Sequence, residues 1–303
     1  MRLGIFIPTP FRSYDRVQSA IWIRALQLIP CFKALGVDVS VNNPFRRYDV
    51  AIYHRGMLHN SLRFIKFLRV ISKRVYWDTC VDYFETHKAS TPLQVHASRG
   101  IASIVDGICV PTEGIANSAK QFCENVFVMP DPLDLLHFRG HKKDVNLDAP
   151  VFSWSGVSVK ASFLGRYSEF LDDRMVIISE KPPRLPFRYR FVPWMYATFP
   201  SALIEVDVAF LPRKLDSTYD INNSSFKALV YAALGVPVIS NGLTSYELLA
   251  IDYSGKSFLG EFDDTHQAAF DDLRFKTFDC TKVREEYDRS LWAERLINWV
   301  FDE

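Results

Sequence analysis

The chain has 303 residues and a mass of 34.9 kDa, a length that suits two domains at roughly 100–200 residues each. Hydrophobic residues make up 48% and charged residues 23%, enough apolar material for a sizeable core, which excludes collagen-like, mucin-like and disordered chains. Its 36 basic and 35 acidic side chains leave a formal charge of +1, which weighs against a dedicated nucleic-acid binder. In chain order, LGIFIP (3–8) predicts a buried strand, Val17 to Leu35 a helix stopped by Gly36, and VDVSV (37–41) a second strand. The alternation continues through YDVAIYH (48–54), a helix over about 58–72, RVYWD (74–78), a helix near 94–104, GICVP (107–111), a helix near 113–122, and NVFVMP (125–130). That order implies a parallel sheet wrapped by helices. The polar stretch RGHKKDVNLDAP (139–150) predicts an exposed linker. Strands VFSWSG (151–156), MVIIS (175–179), RFVPW (190–194), VDVAFLP (206–212) and VPVIS (236–240) then repeat the pattern. A last amphipathic helix runs from Val283 to Phe301. The expectation is α/β, two Rossmann-like doubly wound domains facing a cleft, with ligands beyond the carboxyl ends of the strands.

Charge is unevenly divided, net +6 over residues 1–150 and net −5 over 151–303, as for two domains with different partners. Five cysteines, an odd number without CxxC spacing, suggest neither a disulfide framework nor a zinc site. The apolar start is too short for a signal segment, and no apolar run long enough to span a membrane follows. A cytoplasmic protein, free or peripheral at the inner face of the membrane, is expected. Between Asp49 and Asp78 stand Arg55, Arg63, Lys66, Arg69, Lys73 and Arg74 with no acid. On a helical wheel Arg63, Lys66, Arg69, Lys73 and Arg74 share an arc opposite Phe64, Ile65, Phe67, Leu68 and Ile71. The basic side then suits an anionic membrane surface or an acidic glycan, unless it is simply a solvated face.

The segment 206–242 is the most informative. A strand ends at Pro212, and a helix starts near Asn222, Asn223, Ser224 and Ser225. Polar capping residues there leave backbone N–H groups to hold a phosphate, the alternative being an ordinary capped helix. KALVYAALGVPVIS (227–240) resembles the donor-site stretch of GT-B glycosyltransferases of the family 4 type, with Lys227, Gly235 and Pro237 in matching order and SNGLTSYELL (240–249) following. RALQLIPCFKALGVDV (24–39), GICVPTEGIANSAKQF (107–122) and VFVMPDPLD (126–134) are similar to segments of that family's acceptor domain, so the resemblance covers most of the chain. It implies an acceptor domain over 1–140, a nucleotide-sugar donor domain over 141–284, and a C-terminal helix over 285–303 of the kind that crosses back. Both glutamates of the family's donor motif are replaced, by Asn222 and Val230, and Val230 cannot accept a ribose hydroxyl.

The resemblance implies sugar transfer from a nucleotide-activated donor to a glycan or lipid-linked acceptor in surface polysaccharide or glycoconjugate synthesis, retaining at the anomeric carbon, with no cofactor and no metal. Donor contacts are expected from Gly156, Ser158, Asn222, Asn223, Ser224, Ser225 and Ser240. Lys160 and Lys227 would stabilise the leaving phosphate. Trp194 is placed to stack on the base, a core tryptophan being the alternative. His54 and Asp78, at strand ends with Asp82 nearby, are candidates to orient or deprotonate the acceptor hydroxyl. The competing readings are a non-catalytic GT-B homologue acting as partner subunit, and a viral-type DNA glycosyltransferase, against which the charge balance weighs.

Overall fold

The computed structural model describes residues 1–7, 19–54, 61–86, 90–142, 144–169, 171, 173–213, 217–240 and 280–302. The sequence readings that involve Arg55 and residues 241–249 lie outside them. The chain forms two α/β units, one comprising Met1–Leu133, Asp216–Ser224 and Tyr287–Glu303, the other Asp134–Leu215 and Ser225–Glu286.

In the first unit, β1 (Arg2–Phe6), β2 (Asp38–Val41), β3 (Tyr48–His54), β4 (Ser72–Asp78), β5 (Gly107–Val110) and β6 (Val126–Val128) make one sheet in the order β2-β1-β3-β4-β5-β6. Every pairing is parallel. The strands are apolar on both sides because both faces are covered. Leu3, Ile5, Val50 and Ile52 enter one core, and their neighbours Phe6, Ala51 and Tyr53 enter the other, the period-2 alternation of a strand.

The helix predicted from Val17 to Leu35 is broken into α1 (Ser19–Arg24), a 3₁₀ turn (Leu26–Leu28) and α2 (Ile29–Ala34). Pro30 sits in the first turn of α2, where its missing N–H costs nothing, whereas one continuous helix would need that donor. α3 (Ser61–Ile71) ends before Lys73 and Arg74, which lie on β4. The predicted basic arc is therefore not one helix face. Arg69 pairs with Asp106 at 3.0 Å and Lys73 with Asp49 at 2.8 Å, while Arg74 is half-buried and donates to the Phe301 carbonyl. Phe67, expected against the sheet, is 40% exposed. α4 (Pro92–Ala102) and α5 (Glu113–Ala119) complete the cover.

In the second unit, β7 (Phe152–Ser155), β8 (Met175–Ser179), β9 (Arg190–Pro193), β10 (Val208–Phe210) and β11 (Val238–Ile239) form a parallel sheet in the order β11-β10-β7-β8-β9. Lys160 is on a 3₁₀ segment, Ser158–Tyr167, rather than an α-helix. After α6 (Phe199–Ile204), α7 (Thr218–Ile221) is a single turn, and α8 (Phe226–Ala233) begins after Ser225 and closes through Gly235, φ +76°. The predicted linker has no regular secondary structure among its described residues, yet it is pinned to this unit. Asp207 accepts from the backbone N–H groups of Asn146 and Val151 and pairs with Lys142 at 2.9 Å. The C-terminal helix is two, α9 (Thr281–Glu286) and α10 (Arg289–Asp302). They part where Asp288 forms a β-bridge with Leu133, and α10 packs in the first core through Ala293, Leu296, Ile297 and Val300.

Candidate functional site

Because β10 and β7 are neighbours in a parallel sheet, the residues that follow them emerge at one edge. Gly156 follows β7 directly, and Arg213 lies three residues past β10. Lys227, on the first turn of α8, brings its ammonium to 4.8 Å from the Trp154 ring centroid, within cation–π range. Its position is set one turn later, where the Tyr231 hydroxyl hydrogen-bonds Ser153 Oγ at 2.6 Å and fastens α8 to β7. The space for the ammonium exists only because residue 156 is glycine: a Cβ there would overlap Lys227 Nζ and stand 2.7 Å from Trp154.

Burial, and then the charges of Arg213 and Lys160, push the Lys227 ammonium well below the usual lysine range. Among the described residues, no acidic side chain enters that balance at Lys227. A buried ammonium thus feels two further cations in a half of the sequence that is net acidic, and an anion beside it would favour its charged form. Ser155 Oγ, beside Gly156, is buried with no hydrogen-bond partner among the described residues, a further polar atom at the same edge. The N-terminus of the 3₁₀ segment is already engaged: Glu180 accepts from Ser158 N at 2.9 Å and from its Oγ at 2.5 Å. Burial raises the Glu180 carboxyl, but these bonds outweigh it and keep it below its usual range.

The first unit holds a separate buried network. Arg24, with its side chain fully buried, donates to Asp78 through Nε and Nη2, to Asp131 at 2.8 Å and to the Met129 carbonyl at 2.8 Å. His54 Nδ1–H donates to the other Asp78 oxygen, and Ser224 Oγ donates to Asp131. Burial pushes the Asp78 carboxyl up, but Arg24 and then His54 outweigh it and hold it at about 2. A second carboxylate, Asp82, accepts from Ser118 Oγ at 2.8 Å and from Asn222 Nδ2 at 2.7 Å, while Thr112 Oγ1 donates to the Asn222 carbonyl. No group of His, Cys, Asp and Glu side chains among the described residues has the arrangement of a metal site.

No protein-family profile and no curated protein sequence matches the chain. Solved structures do. Sucrose-phosphate synthase from Thermosynechococcus elongatus superposes with a TM-score of 0.72 at 12% identity, covering all of both chains. AviGT4, a glycosyltransferase involved in avilamycin A biosynthesis, gives 0.63 at 12% identity over 99% of this chain and 96% of its own. An α-glucosyltransferase solved with UDP and a 13-mer DNA gives 0.60 at 14% identity over 99% and 95%. The chain has the GT-B fold.

Of the residues singled out in the sequence, Gly156, Lys160 and Lys227 come together in the second unit of this GT-B chain. Ser158 is close in sequence but serves Glu180. Asn222 and Ser224 belong with Asp82 and Asp131 in the first unit. Asn223 closes the turn after α7, its N–H directed at the Asp220 carbonyl, and Ser225 O accepts the first bond of α8. Trp194 is half-buried, its ring 6.2 Å from that of Phe199. Ser240 is buried and donates to the Leu211 carbonyl, tying the ends of β11 and β10. His54 and Asp78 are neighbours, both almost completely buried, and Asp78 is saturated by Arg24 and His54. Its geometry is that of a group that positions others. Val230 is fully buried. Arg213, Arg24 and Asp131 escaped sequence reasoning. Arg24 opens RALQLIPCFKALGVDV, Asp131 lies in VFVMPDPLD and Arg213 follows directly on FLP at a strand end, yet none of the three was singled out within its segment.

Proposed function

We propose that this chain transfers a sugar from a nucleotide-activated donor to a glycan or lipid-linked acceptor, with retention, in surface polysaccharide or glycoconjugate synthesis. The observation that carries the reading is that Lys227, buried beside Gly156 and Trp154 at the carboxyl edge of a GT-B second unit, lies within the electrostatic reach of Arg213 and Lys160. Such a cluster binds a diphosphate and stabilises the charge that grows on it as the glycosidic bond breaks. In this reading protein cations supply that stabilisation and no bound metal is invoked. The UDP found with one structural neighbour makes a nucleoside diphosphate the first ligand to test.

Thermal shift against UDP, GDP, ADP, TDP and CMP identifies the base, because a ligand of the folded form raises the melting temperature. Sugar release from the matching donor is then measured with and without glycan acceptors. Lys227→Ala lowers turnover at least ten-fold, about 1.4 kcal/mol of barrier, with little change in melting temperature. An unchanged rate removes Lys227 from the site.

Two observations favour a second reading, a non-catalytic partner subunit: Val230 offers no acceptor for a ribose, and Asn222 is engaged by Asp82. No melting shift with any nucleotide, together with no turnover, decides for it.

A further inference from the structure

Among the exposed apolar side chains of the first unit, Phe45 is 97% exposed, Val70 67% and Phe67 40%. Two of them stand side by side. Tyr48 pairs in register with Ser72, so Phe45, three residues before Tyr48, and Val70, two before Ser72, lie at the amino ends of adjacent parallel strands. Arg47 Nη1 reaches the Val70 carbonyl at 3.5 Å and ties the segment that carries Phe45 to the end of α3. Phe67 is on the same final turn of α3 as Val70.

The loop that carries Phe45 is fixed rather than frayed. Asn42 adopts φ +48° and accepts from the Ile7 N–H at 2.8 Å, Phe45 N–H donates to Asn43 Oδ1 at 3.1 Å, and Arg46 pairs with Asp38. A phenyl ring is therefore held in water by a tied backbone.

The charge around it has one sign left over. Arg46, Arg69 and Lys73 are matched by Asp38, Asp106 and Asp49. Arg47, Arg63 and Lys66 are exposed and have no acidic partner among the described residues. Single exposed apolar residues are ordinary, but a projecting ring beside a second apolar side chain and three unmatched bases is a combined feature. We propose that this edge docks on an anionic lipid bilayer, with Phe45 and Val70 entering the headgroup–acyl boundary and Arg47, Arg63 and Lys66 meeting lipid phosphates. A bilayer is the occupant the charge selects, because the projecting ring is bordered by unmatched bases in the half of the sequence that is net +6, the complement of anionic headgroups. The proposal stands independently of the sugar-transfer reading.

The test is co-sedimentation of the full chain with phosphatidylcholine vesicles, with and without phosphatidylglycerol. Binding to the anionic vesicles, weakened by salt, is expected. The double variants F45S/V70S and R63E/K66E should each reduce partitioning by about ten-fold or more, while their melting temperatures stay at the wild-type value. Phe45→Trp should shift its emission to the blue on adding anionic vesicles. Absence of binding, binding indifferent to both double variants, no shift of the Phe45→Trp emission, or a concentration-dependent oligomer that F45S/V70S abolishes would each overturn the proposal.

Discussion

Asp78 shows how a residue legible as a candidate base becomes something else once its surroundings are known. Two cationic or donor groups, Arg24 and His54, converge on a carboxylate held at about 2. Its unfolded-state pKa is about 3.9, so the folded form contributes roughly 2 kcal/mol above that value, and the contribution is lost as pH falls through 4 towards 2. Asp78→Asn removes one partner of a buried pair and should cost about 3 kcal/mol in denaturant unfolding. It should also flatten the acid limb of the stability curve, and a wild-type acid limb would contradict this account. Lys227 works in the opposite sense. Its pKa is depressed in the free protein by burial and by Arg213 and Lys160, and a bound phosphate raises it again. On the proposed function, ligand binding should therefore take up a proton, with affinity lost as pH rises from the depressed pKa of the free protein to that of the bound form. Calorimetry in two buffers of different ionisation enthalpy reads this directly, and proton uptake should vanish in Lys227→Met.

At the scale of elements, strands were easy to read and helix ends were not. Every predicted strand is present because a parallel sheet buried on both faces demands unbroken apolar runs. Helices depended on local chemistry. α4 starts at a full capping box, the Thr91 side chain accepting from Gln94 N–H and Gln94 Oε1 accepting from Thr91 N–H at 2.8 Å. Thr91→Ala should cost about 1 kcal/mol, measured by thermal or denaturant unfolding. Where α8 turns into β11, Gly235 is at φ +76° with the His141 ring 2.5 Å from the position of a Cβ. The glycine of the sequence motif is thus a requirement of the turn, whatever its neighbours bind.

For the whole molecule, sequence order and spatial grouping diverge. Tyr287–Glu303 belongs with the first unit, and Leu296, Ile297 and Val300 share a core with Leu28 and Phe32. Removing α10 would expose that core, so a chain truncated after residue 286 should lose its cooperative melt and aggregate. Circular dichroism and size-exclusion chromatography check this, and a soluble, sharply melting truncation would show that α10 is dispensable.

Unbroken apolar runs with turn residues between them were sufficient to predict two parallel α/β sheets and, through strand order, to point at Gly156 and Lys160 beyond a strand end, while the family resemblance pointed at Lys227. Tertiary structure alone decided that Asn222 and Ser224 answer to Asp82 and Asp131 rather than to the lysines, that Lys73 pairs with Asp49 and Arg74 with the Phe301 carbonyl, and that Arg213 acts on Lys227. Those outcomes depend on which side chains meet across long separations in the chain, and hydrogen bonds and charges at a few ångströms carry no periodic trace in the sequence.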